Sequence, residues 1–453
     1  MGTLVSRLNL PEAVALSLSV ISPTVTAAFN ITLVAQAAGP AAPLAFAIGT
    51  IAMALVALSF IAFTHRVAHA GSAYAYITHT FGSRTGFVAG WTLLATYLGF
   101  ATGFAALVGS FTSAALKGLN IEVGSLWLVI GGASMLLAWW LAYRDMKLSG
   151  WIMLGLEGAA VTGIIALCIR IVQQTHPDLA QTVASFRPSA QFNGWSGLGY
   201  GMVFCILSFA GFEGAATLGE ETINPRRNIP IALLGTVLGS GVFFIFVAYC
   251  EVIGFGPHGI ADLGNSQAPL NDLALRYTTP RLAMALDLAA AASCFCGVLG
   301  CLTAGGRVLF ALGRAGLSPM LAIVHPSHGT PAPAVSLTAA LIILPFVIWA
   351  PYAGAGNYYS YSSEIGVLSL ILVYIGVAGA EVIEAWREQR ALWSAVCILG
   401  PIVLVWVLYH TIFPTPPYPN NLWPYFTLLW AALSWALIRL RPAVANAPLP
   451  DYF

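Results

Sequence analysis

Charge is what this chain has least of: 18 Lys and Arg with 17 Asp and Glu make up 8% of 453 residues. A soluble domain carries about 25%, so an ordinary water-facing surface is excluded. With 58% hydrophobic residues the chain is expected to be an all-α polytopic membrane protein, its main partner the lipid bilayer. A formal net charge of +1 leaves no basic field for nucleic acid. Metalloprotease and phosphate-loop motifs are missing. The seven cysteines all fall inside apolar runs, which speaks against a disulfide framework. Cys294 and Cys296, two apart, lie on different helix faces. His65 and His69 have the i,i+4 spacing of a metal pair, with no obvious further ligand. No metal and no cofactor are expected. Nor is a cleavable signal peptide: the first apolar run extends from Leu10 past Leu33, with only Arg7 ahead of it.

What is present is apolar length. Runs of about 20 residues, punctuated by charge or by Pro, Gly and Asn, predict twelve helices. They lie near 10–35, 41–63, 86–115, 124–142, 149–172, 197–219, 229–254, 281–312, 332–350, 361–383, 391–412 and 422–440. With both termini inside, the cytoplasmic side holds 13 of the 18 Lys and Arg residues and the outer side 5. That is a positive-inside bias, as expected for a multi-pass protein of the cell membrane. The connections 173–196 and 255–280 are too short to fold alone, and the tail Pro442–Phe453 is predicted to be loose.

Two spans are spoiled as plain helices at similar depth. The first contains Ser22-Pro23-Thr24, where proline removes a hydrogen bond and clashes with the preceding turn. The hydroxyls of Ser22, Thr24 and Thr26 are placed to satisfy part of the freed backbone. The sixth contains Phe209-Ala210-Gly211-Phe212-Glu213-Gly214. A carboxylate near the bilayer centre costs roughly 2.5–3.5 kcal/mol, and broken backbone there survives only when buried in protein or lining a cavity. If spans 1–5 (10–172) and 6–10 (197–383) are repeats of opposite topology, with 391–440 appended, each repeat opens on an interrupted helix. Paired interruptions point to a transporter's central site. Free N–H groups at one half-helix end suit a carboxylate; exposed carbonyls at the other suit an ammonium. The candidate substrate-binding set is therefore Ser22, Pro23, Thr24, Val25, Thr26, Phe209, Ala210, Gly211, Phe212 and Glu213.

Three patterns resemble the amino acid–polyamine–organocation (APC) family of permeases, which share the LeuT-type fold. They are Ser208-Phe209-Ala210-Gly211-Phe212-Glu213 with Gly219 to Pro230 after it, Ala70-Gly71-Ser72-Ala73-Tyr74-Ala75-Tyr76 with Phe81-Gly82, and Gly306 to Gly316 followed by Pro319. The resemblance implies a 5+5 inverted repeat with broken helices 1 and 6, and gating by helices 1, 2, 6 and 7. Two departures stand out. The family's glycine-rich break in helix 1 is here Ser22-Pro23-Thr24, and Glu157 occupies the helix 5 position where several proton-coupled relatives have lysine. Ser293 lies near where sodium-dependent carriers use paired hydroxyls, but its neighbour is Cys294. This points to proton coupling, exchange or no coupling rather than sodium.

The implied function is a secondary transporter of an amino acid or related amine, working by alternating access as a monomer or homodimer. Glu157 and Ser293 are the ion-coupling candidates, and Glu213 and Phe209 the gating candidates. Arg307 and Arg314 are expected to pair with Glu220 or Glu221 in an inner gate, Asp287 to snorkel or pair with Arg281, and Tyr358, Tyr359 and Tyr361 to join an interfacial aromatic belt. The competing readings are a carrier of other organic amines or polyamines and an integral membrane enzyme. An enzyme would need a nucleophile–base pair in the membrane, where only His410 offers an imidazole.

Overall fold

The computed structural model describes residues 8–67, 69–119, 121, 124–144, 146–413, 415 and 418–445; Arg7, the side chain of Lys147 and the tail 446–453 lie outside it. Among the described residues every regular element is helical, apart from one isolated bridge between Leu8 and Thr222. Helix ends follow local chemistry. Pro280–Arg314 starts at Thr279, which accepts from Leu282 N–H, with proline in the first turn, where its missing N–H is harmless. Pro225–Phe255 starts after left-handed Asn224 and stops at Gly256, φ 77°.

Among the described residues ten helical stretches are long and apolar enough to cross a membrane, against twelve predicted spans. Two elements account for the difference. Leu10–Thr64 counts as one stretch of 55 residues, about 80 Å if straight, far more than a bilayer core of about 30 Å. Its turn at Gly39–Ala41 falls in the gap between the first two predicted spans. Trp423–Leu440 has only 18 residues, and its Trp, Tyr, Ser and Arg dilute its hydropathy.

Pro280–Arg314 and Ala355–Arg387 both pack along Ser83–Lys117, and the three make the central frame. Leu126–Arg144, Ala391–Ile412 and Trp423–Leu440 turn apolar faces outward, with Leu136, Ile402 and Leu429 exposed. Such faces suit lipid. All seven cysteines are free and buried.

Two expectations are corrected. Tyr358 and Tyr359 are 0% and 1% exposed rather than belted at an interface; each hydroxyl has a buried polar partner, Thr102 at 2.7 Å and Asn30 at 3.0 Å. Tyr361, partly buried, packs against Trp349 and Trp423. Asp287 takes its hydrogen bond from Asn271 Nδ2 at 2.6 Å, not from Arg281.

Candidate functional site: two interrupted helices

Leu10–Ile21 ends where Ser22 turns left-handed (φ 48°, ψ 70°). Pro23–Val25 then resumes the helix, and Thr26–Asn30 follows as a π-helical turn. A non-glycine residue held in this region costs of order 1–3 kcal/mol. The strain is held locally: Ser22 N–H donates to Leu18 O at 2.8 Å and its hydroxyl to Ser19 O at 2.7 Å. The other break follows Gly194–Phe209, at Gly211 with φ 103°. A side chain there would collide with Val20, whose Cγ1 lies 2.1 Å from where a Cβ would sit, so glycine permits both the turn and the approach of the first helix. Phe212–Leu218 continues as a 3-10 helix.

Ser17 joins the two breaks. Its hydroxyl donates to Phe212 O at 2.6 Å and accepts from Ala215 N–H at 3.0 Å. Leu10–Ile21 and Phe212–Leu218 thus form one hydrogen-bonded unit.

Each resumed half-helix starts against a buried glutamate of the protein itself. At the first break Pro23 has no N–H, and Thr24 N–H donates to Glu157 Oε1 at 2.9 Å. Val25 and Thr26 N–H both return to Ser22 O. The hydroxyls of Thr24 and Ser293 lie within electrostatic reach of the Glu157 carboxylate. Neither they nor Glu157 Oε2 forms a hydrogen bond of regular geometry. At the second break Gly211 N–H donates to Glu213 Oε2 at 3.1 Å, while Tyr97 OH reaches Oε1 at 3.0 Å and Tyr374 OH reaches Oε2 at 2.5 Å. Glu213 is 0% exposed, beside the edge-to-face rings of Phe60, Phe212 and Tyr374. Phe209 packs edge-on against Phe244 at 5.2 Å. Ala210, Phe212 and Val25 are likewise buried.

Between the breaks lies a polar cluster that the residue patterns did not bring together. Asn30 Nδ2 donates to Ser208 Oγ at 3.3 Å and to Thr26 Oγ1 at 3.5 Å, and its Oδ1 accepts from Tyr359 OH. Phe29 and Phe104 flank the Tyr359 ring. Of this cluster only Thr26 was among the candidates; an amide deep in an apolar run was the available signal at Asn30.

The expected charge pairs are present at the basic end. Arg307, 1% exposed, grips Glu221 bidentately at 2.5 and 2.9 Å. Arg314 pairs with Glu220, and His69 Nε2 lies 3.8 Å from the same carboxylate. Burial pushes the Glu220 carboxyl up, but the Arg314 hydrogen bonds with the charges of His69 and Arg314 outweigh it and hold it below the usual 4.5. Leu8 clips the first helix to this corner through Leu8 N–H to Glu221 O and Ile223 N–H to Leu8 O.

A family model described as "Amino acid permease" matches residues 8–433. The chain belongs to that family. It is thereby part of the APC superfamily, and a multi-pass membrane protein. The branched-chain amino acid permease BcaP of Lactococcus lactis subsp. cremoris (strain MG1363) is 28% identical over 74% of this chain and 76% of its own length. The low-affinity putrescine importer PlaP of Escherichia coli (strain K12) is 26% identical over 67% and 66%. The methylthioribose transporter of Bacillus subtilis (strain 168) is 25% identical over 66% and 66%. Relatives of this permease family thus carry quite different cargoes by name, while the matches span about two thirds to three quarters of each chain.

Proposed function

We propose that this permease is a secondary active transporter, not an enzyme, carrying an amino acid or related amine across the cell membrane by alternating access. The observation that carries the reading is the pair of left-handed breaks at Ser22 and Gly211 with the Thr26–Asn30–Ser208–Tyr359 cluster between them. In this reading the chain has twelve spans, with 10–172 and 197–383 as inverted repeats and 391–440 appended. Both termini are cytoplasmic, in line with the 13-to-5 distribution of Lys and Arg. Substrate lies against Ser22–Thr26 and Ala210–Gly211 and contacts Asn30, Ser208 and Tyr359. Phe209 backs the site. Glu213 latches the sixth helix and so serves the gate, while Glu157, with Thr24 and Ser293, holds the coupling proton. Arg307–Glu221 and Arg314–Glu220 close the cytoplasmic side.

One observation favours amines without a carboxylate over amino acids. The half-helix N–H groups that would receive a substrate carboxylate are engaged by Glu157, Glu213 and Ser22 O. Helix-end carbonyls and carboxylates at the breaks suit a cation instead. Uptake into proteoliposomes with and without a pH gradient tests both points, using pairs that differ only by the carboxylate: leucine with isopentylamine, ornithine with putrescine. Gradient-stimulated uptake is expected, with each amine competing better than its amino-acid twin. If the twins carrying a carboxylate win, the amine preference is wrong. No uptake of any member, alongside turnover of a membrane substrate, would sink the transporter reading.

A further inference from the structure

A cavity reaches the first break from the lipid side. It has a volume of about 310 Å³ and lies between Leu10–Ile21, Met146–Thr175 and Pro225–Phe255. Its mouth owes its width to glycine. Gly158 on one helix and Gly235 and Gly239 on another are exposed, and a Cβ at any of them would meet nothing within 4 Å. Exposed Leu238 and Val242 beside them mark this as a lipid-facing surface. The walls are apolar, with Leu154, Val161 and Phe243 among them.

The floor is different. Glu157 and Ser240, each 3% exposed, line the cavity, and among the described residues neither Glu157 Oε2 nor Ser240 Oγ forms a hydrogen bond of regular geometry. Among the described residues no cationic side chain lines the cavity. Buried polar atoms without partners are costly, and an ionised carboxylate at this depth more so. Glu157 is 11 residues past Met146 and 18 before Thr175, so it lies about 16 Å from the nearer helix end. That is half of a bilayer core of about 30 Å, beyond the reach of a phospholipid headgroup at the interface.

We propose that this cavity is a binding site for a lipophilic monoamine: one ammonium on an apolar tail, entering from the bilayer rather than through the substrate path. The ammonium donates to Glu157 Oε2 and Ser240 Oγ and supplies the counter-charge that an ionised Glu157 lacks. The tail lies along the glycine-lined mouth, against Leu154 and Phe243. Such cavities fit small ligands at the lower end of the usual range of about 300–1,000 Å³. Because Leu18 and Pro23 also line the cavity, the occupant wedges against the Ser22 hinge and ties up Glu157. It therefore slows transport without competing for the central site. The site is argued from the cavity itself and does not depend on which substrate the permease carries.

Binding of octylamine, and of 1-octanol as its neutral isostere, to the purified full-length protein in nanodiscs tests this by calorimetry, with empty nanodiscs subtracted. Saturable octylamine binding is expected, at least tenfold tighter than 1-octanol and lost in Glu157→Gln. The Gly235→Leu/Gly239→Leu variant fills the mouth with side chains that meet open space, so it should fold and keep its basal uptake while losing octylamine binding tenfold or more. Where uptake is measurable, octylamine should lower the maximal rate at unchanged KM. Equal binding of octanol, or unchanged octylamine binding in the filled variant, overturns the proposal. So does inhibition relieved by excess substrate, which would place the amine in the central site. A filled variant that alters oligomeric state while still binding octylamine would mark the cavity as a contact between copies. These binding readouts stand even if no transported substrate is found.

Discussion

Replacing Glu213 by alanine should destabilise the permease severely, and the size of the effect can be worked from its contacts. The carboxylate accepts from Tyr97 OH, Tyr374 OH and Gly211 N–H, all inside a site with no solvent exposure. Glu213→Ala strands these donors, and each unsatisfied buried group costs about 1–3 kcal/mol. Together that is about 3–9 kcal/mol, against a typical net stability of about 5–15 kcal/mol. Glu213→Gln keeps one acceptor oxygen and the shape, so its cost should stay near a single lost bond, about 1–3 kcal/mol. Thermal unfolding followed by tryptophan fluorescence ranks the two. Tyr374→Phe supplies the decisive arm: it should destabilise the wild type, where it removes a buried hydrogen bond, and stabilise Glu213→Ala, where it removes an orphan hydroxyl. Equal destabilisation in both backgrounds would refute the latch, as would a Glu213→Ala protein no less stable than wild type. Transport is then read on Glu213→Gln, which should fold but take up substrate more slowly. Unimpaired uptake would leave Glu213 a structural clasp and nothing more.

Arg307→Met leaves Glu221 buried without its partner and should cost about 3–5 kcal/mol, most of it recovered in Arg307→Met/Glu221→Met; a double variant no more stable than the single contradicts the pair. Glu220 is held below the usual carboxyl value, so its stabilising contribution is complete above about pH 4.5 and fades only as the pH falls through its lower folded value. Wild-type unfolding should therefore show this loss only below that range, and Glu220→Gln should lack it; loss between pH 5 and 7 would mean another group is responsible. Asn30→Ala and Tyr359→Phe should each raise the KM for the transported substrate roughly 2- to 10-fold, the worth of one hydrogen bond of about 0.5–1.5 kcal/mol. If KM is unchanged and only the maximal rate falls, the cluster belongs to gating rather than to binding.

The helical skeleton was legible because hydrophobic runs in a membrane report their own length. The predicted span 391–412 coincides with Ala391–Ile412, and most other boundaries fall within a few residues of the observed helices. The predicted span 361–383 is short because Tyr358 and Tyr359 read as interfacial, whereas the helix runs from Ala355 to Arg387. Their polarity faces protein rather than water, a distinction that composition does not carry. The breaks were legible from Pro23 and Gly211, residues whose backbone chemistry forces the interruption. Glu157 was singled out by its burial in an apolar run, but its hydrogen bond to Thr24 N–H joins residues 133 apart. Nothing local could supply that pairing. The Asn271–Asp287 bond escaped for the same reason: a closer charge, Arg281, was the obvious partner on the helix, and tertiary packing supplied an amide instead.

How the breaks are tied together decides which parts can move as a unit. Ser17 bonds Leu10–Ile21 to Phe212–Leu218 by both its donor and its acceptor. Leu8 adds two backbone bonds to the loop that follows the second of these segments. The two segments therefore share their fate at the basic end, where Arg307–Glu221 and Arg314–Glu220 fasten that same loop to Pro280–Arg314. The other two halves, residues 23–38 and Gly194–Phe209, are bonded differently, through Thr24 to Glu157 and through Asn30 to Ser208 and Tyr359. Hinges are a few residues that absorb large dihedral changes, and here Ser22 and Gly211 are the left-handed points at which one set of bonds hands over to the other. A rotation at both together frees the basic end by breaking the two arginine pairs while sparing the Ser17 bonds. Rotating either alone must also break the bonds of Ser17, a buried side chain, and so costs more. Concerted motion of the two half-helices is thus the cheaper path, and the position of one serine makes it so.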